Sequence, residues 1–336
     1  MSDVAAVPAD EGAAAPSGIE GDAEQYRGEL TGYAYRMLGS AFEAEDAVQD
    51  TLVRAWRSAD KFEGRSSLRS WLYRIATNVC IDMLNSRNRR ALPLDLSSSP
   101  SPPVESSLGT PLSEETWVGP LPDSRLEPAA EDPAERAVQR ESIRLAFIAA
   151  LQQLPARQRA VLILRDVLRW KADEVAQLLD TTTVSINSAL QRARATLSEH
   201  RSDTGPAPDP MDEEHAALLA RYVELFERYD IDALVSLLHE DATQSMPPYA
   251  LWLRGPVDIA AFHLGPGSEC RGSQMLPVMA NGSPAFAQYR RSASGDGYEP
   301  WGIHTLEITD GRISQITNFL GPDVFTLFGL PLRLED

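Results

Sequence analysis

The chain has 336 residues, of which 31 are basic and 49 are acidic, and its formal net charge is -18. This length exceeds one ordinary hydrophobic core and predicts two or three domains. The two cysteines, Cys80 and Cys270, are too few and too far apart for a disulfide framework or a zinc site, which fits a reducing compartment. The amino terminus lacks the regions of a signal peptide, and no run of 18 apolar residues exists, so we expect a cytoplasmic protein without a membrane span.

The charge is distributed unevenly along the chain. Residues 61–90 carry seven basic groups and two acidic ones, whereas residues 206–336 carry eight basic and 19 acidic groups. Blocks of opposite sign indicate that one part of the chain contacts a polyanion, because a merely solvated surface has scattered charges. The charge pattern therefore favours nucleic acid as a partner of the basic part only.

Composition also predicts where the domains end. Residues 92–133 are rich in Pro and Ser and lack helical or strand periodicity, so we expect a linker that cannot bury enough apolar surface to order itself. A second break, "SDTGPAPDPMDEE", precedes the last part of the chain. The predicted units are a disordered acidic lead at 1–21, a helical domain at 22–91, the linker at 92–133, a helical domain at 134–202, a short linker at 203–210 and a third domain at 211–336.

An amphipathic helix is predicted in "EAEDAVQDTLVRAWRSADKF". Its apolar stripe, which we expect to be buried, comprises Val48, Leu52, Ala55 and Trp56. Its other face presents Asp46, Asp50, Val53, Arg54 and Arg57. An apolar residue ringed by both charge signs suits a protein contact, although one exposed valine is ordinary on a helix surface.

The stretch "WLYRIATNVCIDMLNSR" predicts a second amphipathic helix. Its core-facing stripe comprises Trp71, Leu72, Ile75, Ala76, Val79, Cys80 and Met83, and its opposite face comprises Arg74, Thr77, Asn78 and Asn85. An arginine and two amides near the indole at the stripe's edge suit the reading and stacking of an unpaired base, and a solvated helix face is the alternative. The preceding "FEGRSSLRS" supplies a Gly-Arg-Ser-Ser loop that could line a pocket.

The second helical block, "KADEVAQLLDTTTVSINSALQRARATL", has the layout of a helix-turn-helix. Val175, Leu178 and Leu179 pack the first helix, and "DTTT" makes the turn. The outward face of the second helix presents Thr183, Asn187, Ser188, Gln191 and Arg192, with Arg194 at its edge. Hydroxyl, amide and guanidinium groups near the amino end of such a helix favour readout of duplex DNA.

The third domain begins with predicted amphipathic helices, "EEHAALLARYVELFERYD" and "IDALVSLLHED". Strand-like runs follow in "SQMLPVMANG", "PAFAQYRRS", "WGIHTLEITDG" and "RISQITNFLG". The "TDGR" between the last two runs predicts a hairpin, because Asp-Gly supplies the positive φ angles of a two-residue turn. Helices followed by an antiparallel meander indicate an α+β domain.

Three motifs in order, "EDAVQDTLVRAW", "WLYRIATNVCIDML" and "LPARQRAVLILRDVLRWKADEVAQLL…SINSALQRARATL", resemble an extracytoplasmic-function sigma factor, a bacterial RNA polymerase initiation subunit. Residues beyond 211, in "EEHAALLARYVELFERYDIDALVSLLHEDATQSMPP" and "WGIHTLEITDGRISQITNFL", resemble a SnoaL-like cone-shaped domain. The resemblance implies a multidomain fold with two all-α sigma domains, the second a helix-turn-helix, followed by an α+β SnoaL-like domain. It implies no catalytic residue, cofactor or metal.

The partners implied are core RNA polymerase, at its largest-subunit clamp and its flap region, and promoter DNA. By resemblance, the polymerase clamp would contact Asp46, Gln49, Asp50, Val53, Arg54 and Arg57. The -10 element would contact Arg65, Ser66, Ser67, Trp71, Arg74, Asn78, Asn85, Arg87, Arg89 and Arg90. The -35 element would contact Thr183, Asn187, Ser188, Gln191, Arg192 and Arg194. The family often has a glycine and a basic residue where this chain has Val184 and Asn187, so this recognition helix is less basic than the pattern.

The SnoaL-like fold does not fix a role for the third domain. Tyr249, Trp252, Trp301 and His304 could line a pocket for a small ligand, and core packing explains them equally well. We favour a regulatory domain that acts in cis on the two sigma domains. The alternatives are a stand-alone helix-turn-helix regulator with a ligand-sensing domain, and a SnoaL-like enzyme fused to DNA-binding helices.

Overall fold

The computed structural model describes residues 19–62, 64, 66–86, 89–126, 132–199 and 213–336. Most of the predicted acidic lead and the whole of the linker at 203–210 lie outside these residues. The described residues form two helical domains and an α+β domain, in the order expected from the sequence.

The helices of the first domain end and begin at ordinary capping residues. They are α1 (Ile19–Glu24), α2 (Arg27–Leu38), α3 (Ala41–Arg57) and α4 (Leu68–Asn85). Gly39 ends α2 in the left-handed conformation, with a φ of 74°. Ser40 then begins α3 by accepting a hydrogen bond from the Glu43 amide at 3.4 Å, and Ser67 caps α4 through the Ser70 amide at 3.1 Å. Because only two residues separate α2 from α3, the two helices lie close together and pack directly against each other.

The second domain contains the predicted helix-turn-helix. After a single turn, α5 (Pro93–Leu96), the chain forms α6 (Pro133–Glu141), α7 (Leu145–Gln152), α8 (Ala156–Leu162), a π-helical turn (Ile163–Val167), α9 (Ala172–Leu178) and α10 (Thr183–Glu199). Asp180 reverses the chain between α9 and α10 with a φ of 51°, and Thr182 caps α10 by accepting a hydrogen bond from the Ser185 amide at 3.2 Å. Val175 and Ile186 are buried between the two helices, as the sequence pattern predicts.

The third domain is a mixed sheet covered by helices. Its elements are α11 (Glu213–Arg228), α12 (Ile231–Val235), β1 (Leu238–Ser245), β2 (Trp252–Arg254), α13 (Gly255–Leu264), β3 (Gln274–Ala280), β4 (Ser283–Arg291), β5 (Tyr298–Thr309), β6 (Arg312–Leu320) and α14 (Pro322–Leu327). The strand order is β2-β1-β6-β5-β4-β3. The predicted antiparallel meander of β3 to β6 and the hairpin at Asp310–Gly311 are confirmed.

The start of this domain differs from the prediction. The second amphipathic helix is only α12, and the residues after it form β1, which pairs in parallel with β6. Leu238 and Ala242 are buried in the domain core, while the backbone of β1 pairs with that of β6. Long-range pairing with β6 therefore overrides a local pattern that resembles a helix.

The expectation of an unpacked linker at 92–133 is wrong for residues 92–126. Trp117, Val118 and Leu121 are between 0% and 4% exposed. The backbone of the segment bonds to the first and third domains. The Val118 amide donates to the Ala91 carbonyl at 3.0 Å, and the Leu112 amide donates to the Pro248 carbonyl at 2.9 Å. The segment is ordered because its few large apolar residues are buried against other domains, which composition alone does not reveal.

The two helical domains share one hydrophobic core. The rings of Tyr73 on α4 and Trp170 before α9 lie 4.9 Å apart. The buried guanidinium of Arg159 on α8 donates to the Met37 carbonyl of α2 and to Gln152. The two helical domains therefore form a single packed body.

Candidate nucleic-acid and partner interfaces

The polar face of α3 is accessible. Asp46, Gln49, Arg54 and Arg57 are exposed, while Asp50 and Val53 are half-buried. The carboxylate of Asp50 accepts from Arg54 at 2.8 Å. The six residues thus lie together on one surface, as the helical spacing predicts.

The prediction that Trp56 is buried is wrong, since 53% of this residue is exposed. It lies three residues after Val53, in the last turn of α3. An exposed indole beside charged groups is the residue type enriched at protein interfaces. Helical periodicity missed it because Trp56 follows Leu52, which is half-buried against the core, by one turn.

The polar face of α4 lies next to that of α3. Arg74, Asn78 and Asn85 are exposed, and Trp71 is half-buried with its ring 5.0 Å from that of Phe62. A cavity of about 330 Å³ between the two helices is lined by Arg54, Arg57, Ser58, Ile75 and Asn78. Because Arg54 and Arg57 belong to one predicted face and Asn78 to the other, the two faces form a continuous surface.

The loop before α4 is only partly described. Ser66 and Ser67 are exposed, and the Ser67 hydroxyl caps α4. Arg65 lies outside the described residues. Thr77, expected on the polar face, is instead buried and its hydroxyl lies 2.8 Å from that of Tyr33, because α2 packs over this side of α4.

The residues Arg87, Arg89 and Arg90 after α4 are predicted to form a basic arm on the DNA, and the structure corrects the prediction for one of them. Arg87 lies outside the described residues, and the exposed Arg89 donates to Gln153 at 2.7 Å. Arg90 was expected to grip DNA, yet its side chain is 3% exposed and pairs with Glu43 at 2.9 Å. Its guanidinium also donates to the carbonyls of Glu114 and Trp117 at 2.7 and 2.6 Å. Arg90 therefore holds the linker against α3 in this structure.

The outward face of α10 is largely accessible. Thr183, Asn187, Gln191, Arg192 and Arg194 are exposed, and Ser188 is half-buried. Val184, at the position where the family often has a glycine, is 73% exposed. This face carries hydroxyl, amide and guanidinium groups, the types that read base edges in a major groove.

One of these cations is already paired. Arg194 donates both of its forked N–H groups to Asp166 in the π-helical turn, at 2.8 and 2.7 Å. The hydrogen bond to this carboxylate raises the pKa of Arg194. Arg192, which is exposed, is the cation nearer the amino end of the face.

The interior of the third domain contains a buried polar network. The Tyr222 hydroxyl donates to His304 Nδ1 at 3.0 Å, and His304 Nε2 donates to Gln288 Oε1 at 2.7 Å. Burial lowers the pKa of His304 to about 3 and that of His263 to about 4, so both rings are neutral near pH 7. Both histidines are less than 9% exposed. His263 Nε2 donates to Gln244 Oε1 at 3.1 Å, and no hydrogen-bond partner for its Nδ1 lies among the described residues.

The four residues of the predicted aromatic pocket differ in their exposure. Tyr249 and Trp301 are half-buried against the core, and Trp301 is covered by the Arg290 guanidinium at 4.1 Å. Trp252 and His304 are buried. None of these four residues lines the cavity between α3 and α4.

The side chain of Asn281 connects the third domain to both helical domains and to the linker. Asn281, in the β3–β4 turn, donates to the Tyr35 hydroxyl of α2 and to the Ile143 carbonyl before α7, each at 2.6 Å. Its carbonyl accepts from the Leu121 amide of the linker at 3.0 Å. Sequence reasoning missed this residue, because an Asn-Gly pair signals only a turn.

An ion pair reinforces the same junction. Arg144, with a side chain 3% exposed, binds Glu307 of β5 as well as Glu141 at 3.2 Å. Burial raises the pKa of Glu307, although Arg144 opposes this shift. The pair joins the second helical domain directly to the third domain.

Two further findings concern only the part of the chain that the structure describes. No helix there is both long and apolar enough to cross a membrane. No group of three or more His, Cys, Asp or Glu side chains is arranged to hold a metal ion.

The Sigma-70 region 2 model matches residues 23–90, the Sigma-70 region 4 model matches residues 144–197, and the SnoaL-like domain model matches residues 219–316. The ECF RNA polymerase sigma factor SigG of Mycobacterium tuberculosis is 45% identical over 313 residues, which cover 92% of this chain and 82% of that protein. SigJ of the same organism is 28% identical over 92% of this chain and 93% of its own length.

The crystal structure of the Mycobacterium tuberculosis extracytoplasmic function sigma factor SigJ shares the fold. It superposes with a TM-score of 0.60 at 24% identity, and the match covers 93% of this chain and 99% of that one. The order of domains and the relatives favour a sigma factor over a stand-alone regulator or a DNA-tethered enzyme. The chain belongs to the extracytoplasmic-function RNA polymerase sigma factors, which act with core RNA polymerase on promoter DNA and are not themselves enzymes, and it carries a SnoaL-like domain after its two sigma domains.

Proposed function

We propose that α3 docks on the clamp of the largest polymerase subunit. The supporting observation is its accessible face, where Asp46, Gln49 and Arg57 surround Val53 and the exposed Trp56. Aromatic and arginine side chains with an apolar centre are typical of the residues that dominate binding energy. Trp56 is therefore added to the contact residues expected from the sequence.

The surface between α3 and α4 is proposed to capture unpaired bases of the -10 element. Its cavity is lined by two arginines and by Asn78, which suit a phosphate and a base edge respectively. Trp71 and Arg74 lie on the same helix. Unstacking a base costs a few kcal/mol, roughly, which contacts of this kind must offset.

The exposed face of α10 is proposed to enter the major groove of the -35 element. Arg192 and Gln191 are the groups best suited to guanine and adenine edges. The adjoining Arg194 is held by Asp166, so it is oriented before DNA arrives.

The packed arrangement of the two sigma domains is proposed to be a closed form. Elements named for positions -10 and -35 lie about 25 base pairs apart, or about 85 Å along a duplex. A domain of this size has a radius of gyration of about 11 Å, so two domains in contact cannot reach both elements. The shared core, including the contact between Tyr73 and Trp170, must then separate on the promoter.

The linker is long enough for that opening. An extended chain covers about 3.3 Å per residue, so the 42 residues at 92–133 can span more than about 100 Å. Opening would detach Trp117 and Leu121 from the surfaces that bury them. It would also free Arg90 to act in the basic arm, where the family resemblance expects it.

The SnoaL-like domain is proposed to hold the closed form in cis. The single observation that carries this proposal is Asn281, whose side chain hydrogen bonds to the first sigma domain, the second sigma domain and the linker at once. Separation of the sigma domains would break these bonds. The buried, neutral histidines of the domain support a structural role rather than an acid–base one.

The polymerase surface can be tested with two matched charge reversals in the full-length protein. Asp50→Arg, on α3, is expected to weaken binding to core polymerase at least tenfold, because it places a new cation beside Arg54 in the interface. Asp232→Arg makes the same change at an exposed position of α12, outside that surface, and is expected to bind normally. Equal affinities for the two variants would show that α3 is not the docking surface.

A further inference from the structure

One large apolar side chain lies on the outward face of α10. Val184 is 73% exposed, whereas Asn187, Gln191 and Arg192 on the same face are polar or charged. Single exposed apolar residues are common on protein surfaces, so exposure alone assigns no role to Val184. The position of this valine on the face, and the chemistry of what the face is proposed to meet, are what distinguish it.

Val184 lies at the centre of the outward face. At 3.6 residues per turn, Gln191 follows it by seven residues and projects within about 20° of the same direction. Asn187 and Arg192 project to either side of this line, and Ala193, which is 0% exposed, projects in the opposite direction. The side chain of Val184 therefore points directly away from the core of the second sigma domain.

The position of Val184 along the helix also suits contact with bases. It is the second residue of α10, which begins at Thr183. In a helix-turn-helix, the residues near the amino end of the second helix contact base edges. The Thr182 hydroxyl caps this end by accepting a hydrogen bond from the Ser185 amide at 3.2 Å. The backbone that carries Val184 is therefore held in place before DNA binds.

The bases offer one apolar group to a side chain in the major groove. The edges of guanine, cytosine and adenine present hydrogen-bond donors and acceptors there, and thymine adds its C5-methyl group. The side chain of valine forms no hydrogen bond, so it gains nothing from the polar groups. The glycine that the family often has at this position has no side chain with which to contact a methyl group.

We infer that Val184 is a specificity-determining residue that contacts the C5-methyl group of one thymine in the -35 element. The inference rests on the proposed placement of α10 in the major groove, and it adds a base that the helix selects. Gln191 and Arg192 remain the groups suited to adenine and guanine edges. Burial of one methyl group against Val184 should favour thymine about fourfold over the same base without its methyl group.

The test removes that methyl group and nothing else. The holoenzyme, formed from core polymerase and the full-length protein, first selects its preferred promoters from a pool with a randomised -35 element. Each thymine of the selected -35 duplex is then replaced singly by deoxyuridine, which lacks only the C5-methyl group. We expect equilibrium binding of the holoenzyme to weaken about fourfold at one position. A selected element without a thymine, or without a methyl-sensitive one, would overturn the inference.

Two matched valine variants assign the contact. Val184→Ala shortens the side chain and keeps a good helix former, so this variant should bind the thymine and deoxyuridine duplexes equally. Val257→Ala is the control, because Val257 is 81% exposed on α13, in the SnoaL-like domain. The control should keep the preference of about fourfold. A preference that survives in Val184→Ala would assign the methyl group to another residue and contradict the inference.

Arg192→Ala separates the methyl contact from the placement of α10. If this variant weakens binding to the -35 duplex while no thymine is methyl-sensitive, α10 lies in the groove and the inference about Val184 fails. If neither Arg192→Ala nor Gln191→Ala changes binding to the -35 duplex, the proposed placement of α10 fails as well. Weaker binding of Val184→Ala to core polymerase without DNA would show that Val184 contacts the polymerase, and this result would also overturn the inference.

Discussion

Two turns of the SnoaL-like domain share a backbone geometry but differ in their surroundings. Asn281–Gly282 joins β3 to β4 with φ angles of 55° and 73°, and Asp310–Gly311 joins β5 to β6 with φ angles of 52° and 69°. Asn281 is 3% exposed and bonded to three other units, whereas Asp310 is exposed. The same local chemistry therefore builds an ordinary hairpin between β5 and β6 and a domain junction between β3 and β4.

The difference shows what the turn residue does beyond closing a hairpin. An asparagine amide carries two N–H donors and one oxygen acceptor. In Asn281 all three of these groups hydrogen bond to residues outside the third domain. The neighbouring Gly282 amide donates to Asp123 of the linker at 2.9 Å. The role of the turn at Asn281 is thus set by the surfaces it meets.

The largest effect is expected when the side chain of the junction turn is removed. Asn281→Gly keeps the positive φ but deletes three hydrogen bonds, which contribute about 2 kcal/mol to closure. Polymerase affinity should then rise about 30-fold. The measurement is equilibrium binding of full-length variants to core polymerase.

Asp310→Gly is the matched control, since it creates the same Gly-Gly turn at an exposed position between β5 and β6. Its affinity should stay within about twofold of the wild type, as expected for a surface substitution. Equal increases in both variants would mean that turn flexibility, and not the junction contacts, is responsible.

A smaller effect is expected from the partner of Asn281 on α2. The Tyr35 hydroxyl accepts from Asn281 and donates to the Gly119 carbonyl at 2.8 Å. Tyr35→Phe should raise polymerase affinity about fivefold, since roughly 1 kcal/mol of closure is lost. Tyr222→Phe, which removes one hydroxyl inside the SnoaL-like domain, should weaken that domain in urea but leave polymerase affinity unchanged.

Closure should depend on pH through the acids buried at the junction. Burial raises the pKa of Glu307 and of Asp123 in the closed form, and opening would return both to ordinary values. When the pH lies between the ordinary and the raised pKa, the carboxyls of Glu307 and Asp123 are protonated in the closed form and ionised in the open form. Lowering the pH through this window therefore favours closure, and raising it favours opening.

The measurement is the fraction of closed protein between pH 7 and 5, followed by energy transfer between labels on the two sigma domains. Glu307→Gln should change closure little at pH 7, because the burial cost and the Arg144 attraction oppose each other. It should reduce the pH dependence, leaving the part due to Asp123. A wild-type protein that opens as the pH falls would contradict this sign.

The smallest effect is expected at the solvent-exposed ion pair between Arg194 and Asp166. The side chains of Arg194 and Asp166 are 61% and 31% exposed, in contrast to the 3% and 12% of Arg144 and Glu307. Asp166→Asn should change -35 duplex affinity of the holoenzyme by about twofold, because exposed pairs contribute little. A tenfold change would mean that Asp166 positions Arg194 for base readout.

The sequence was sufficient where local chemistry decides the structure. Asp310–Gly311 is a hairpin, α9 and α10 form a helix-turn-helix, and Asp46 and Arg57 share a face, because turn preference and helical spacing act over a few residues. The family resemblance added the domain order, which local patterns do not give.

The sequence was insufficient where distant surfaces meet. Arg89 and Arg90 look equivalent in the chain, yet only Arg90 is buried, because Glu43 and the linker carbonyls surround it. Trp117 lies in a segment whose composition indicates disorder, and neighbouring domains bury it. Tertiary contacts of this kind separate residues that a local pattern treats alike.

The most direct test measures the distance between the two sigma domains in solution. Spin labels at Asp60→Cys and Gln177→Cys would lie on exposed sites of the two domains, and the native Cys80 and Cys270 are buried. Pulsed electron paramagnetic resonance should give one short distance in the free protein. With core polymerase and promoter DNA, the distance should lengthen by tens of ångströms, roughly, to match the spacing of the two elements. An unchanged distance on the promoter would contradict the proposal that the packed form is closed.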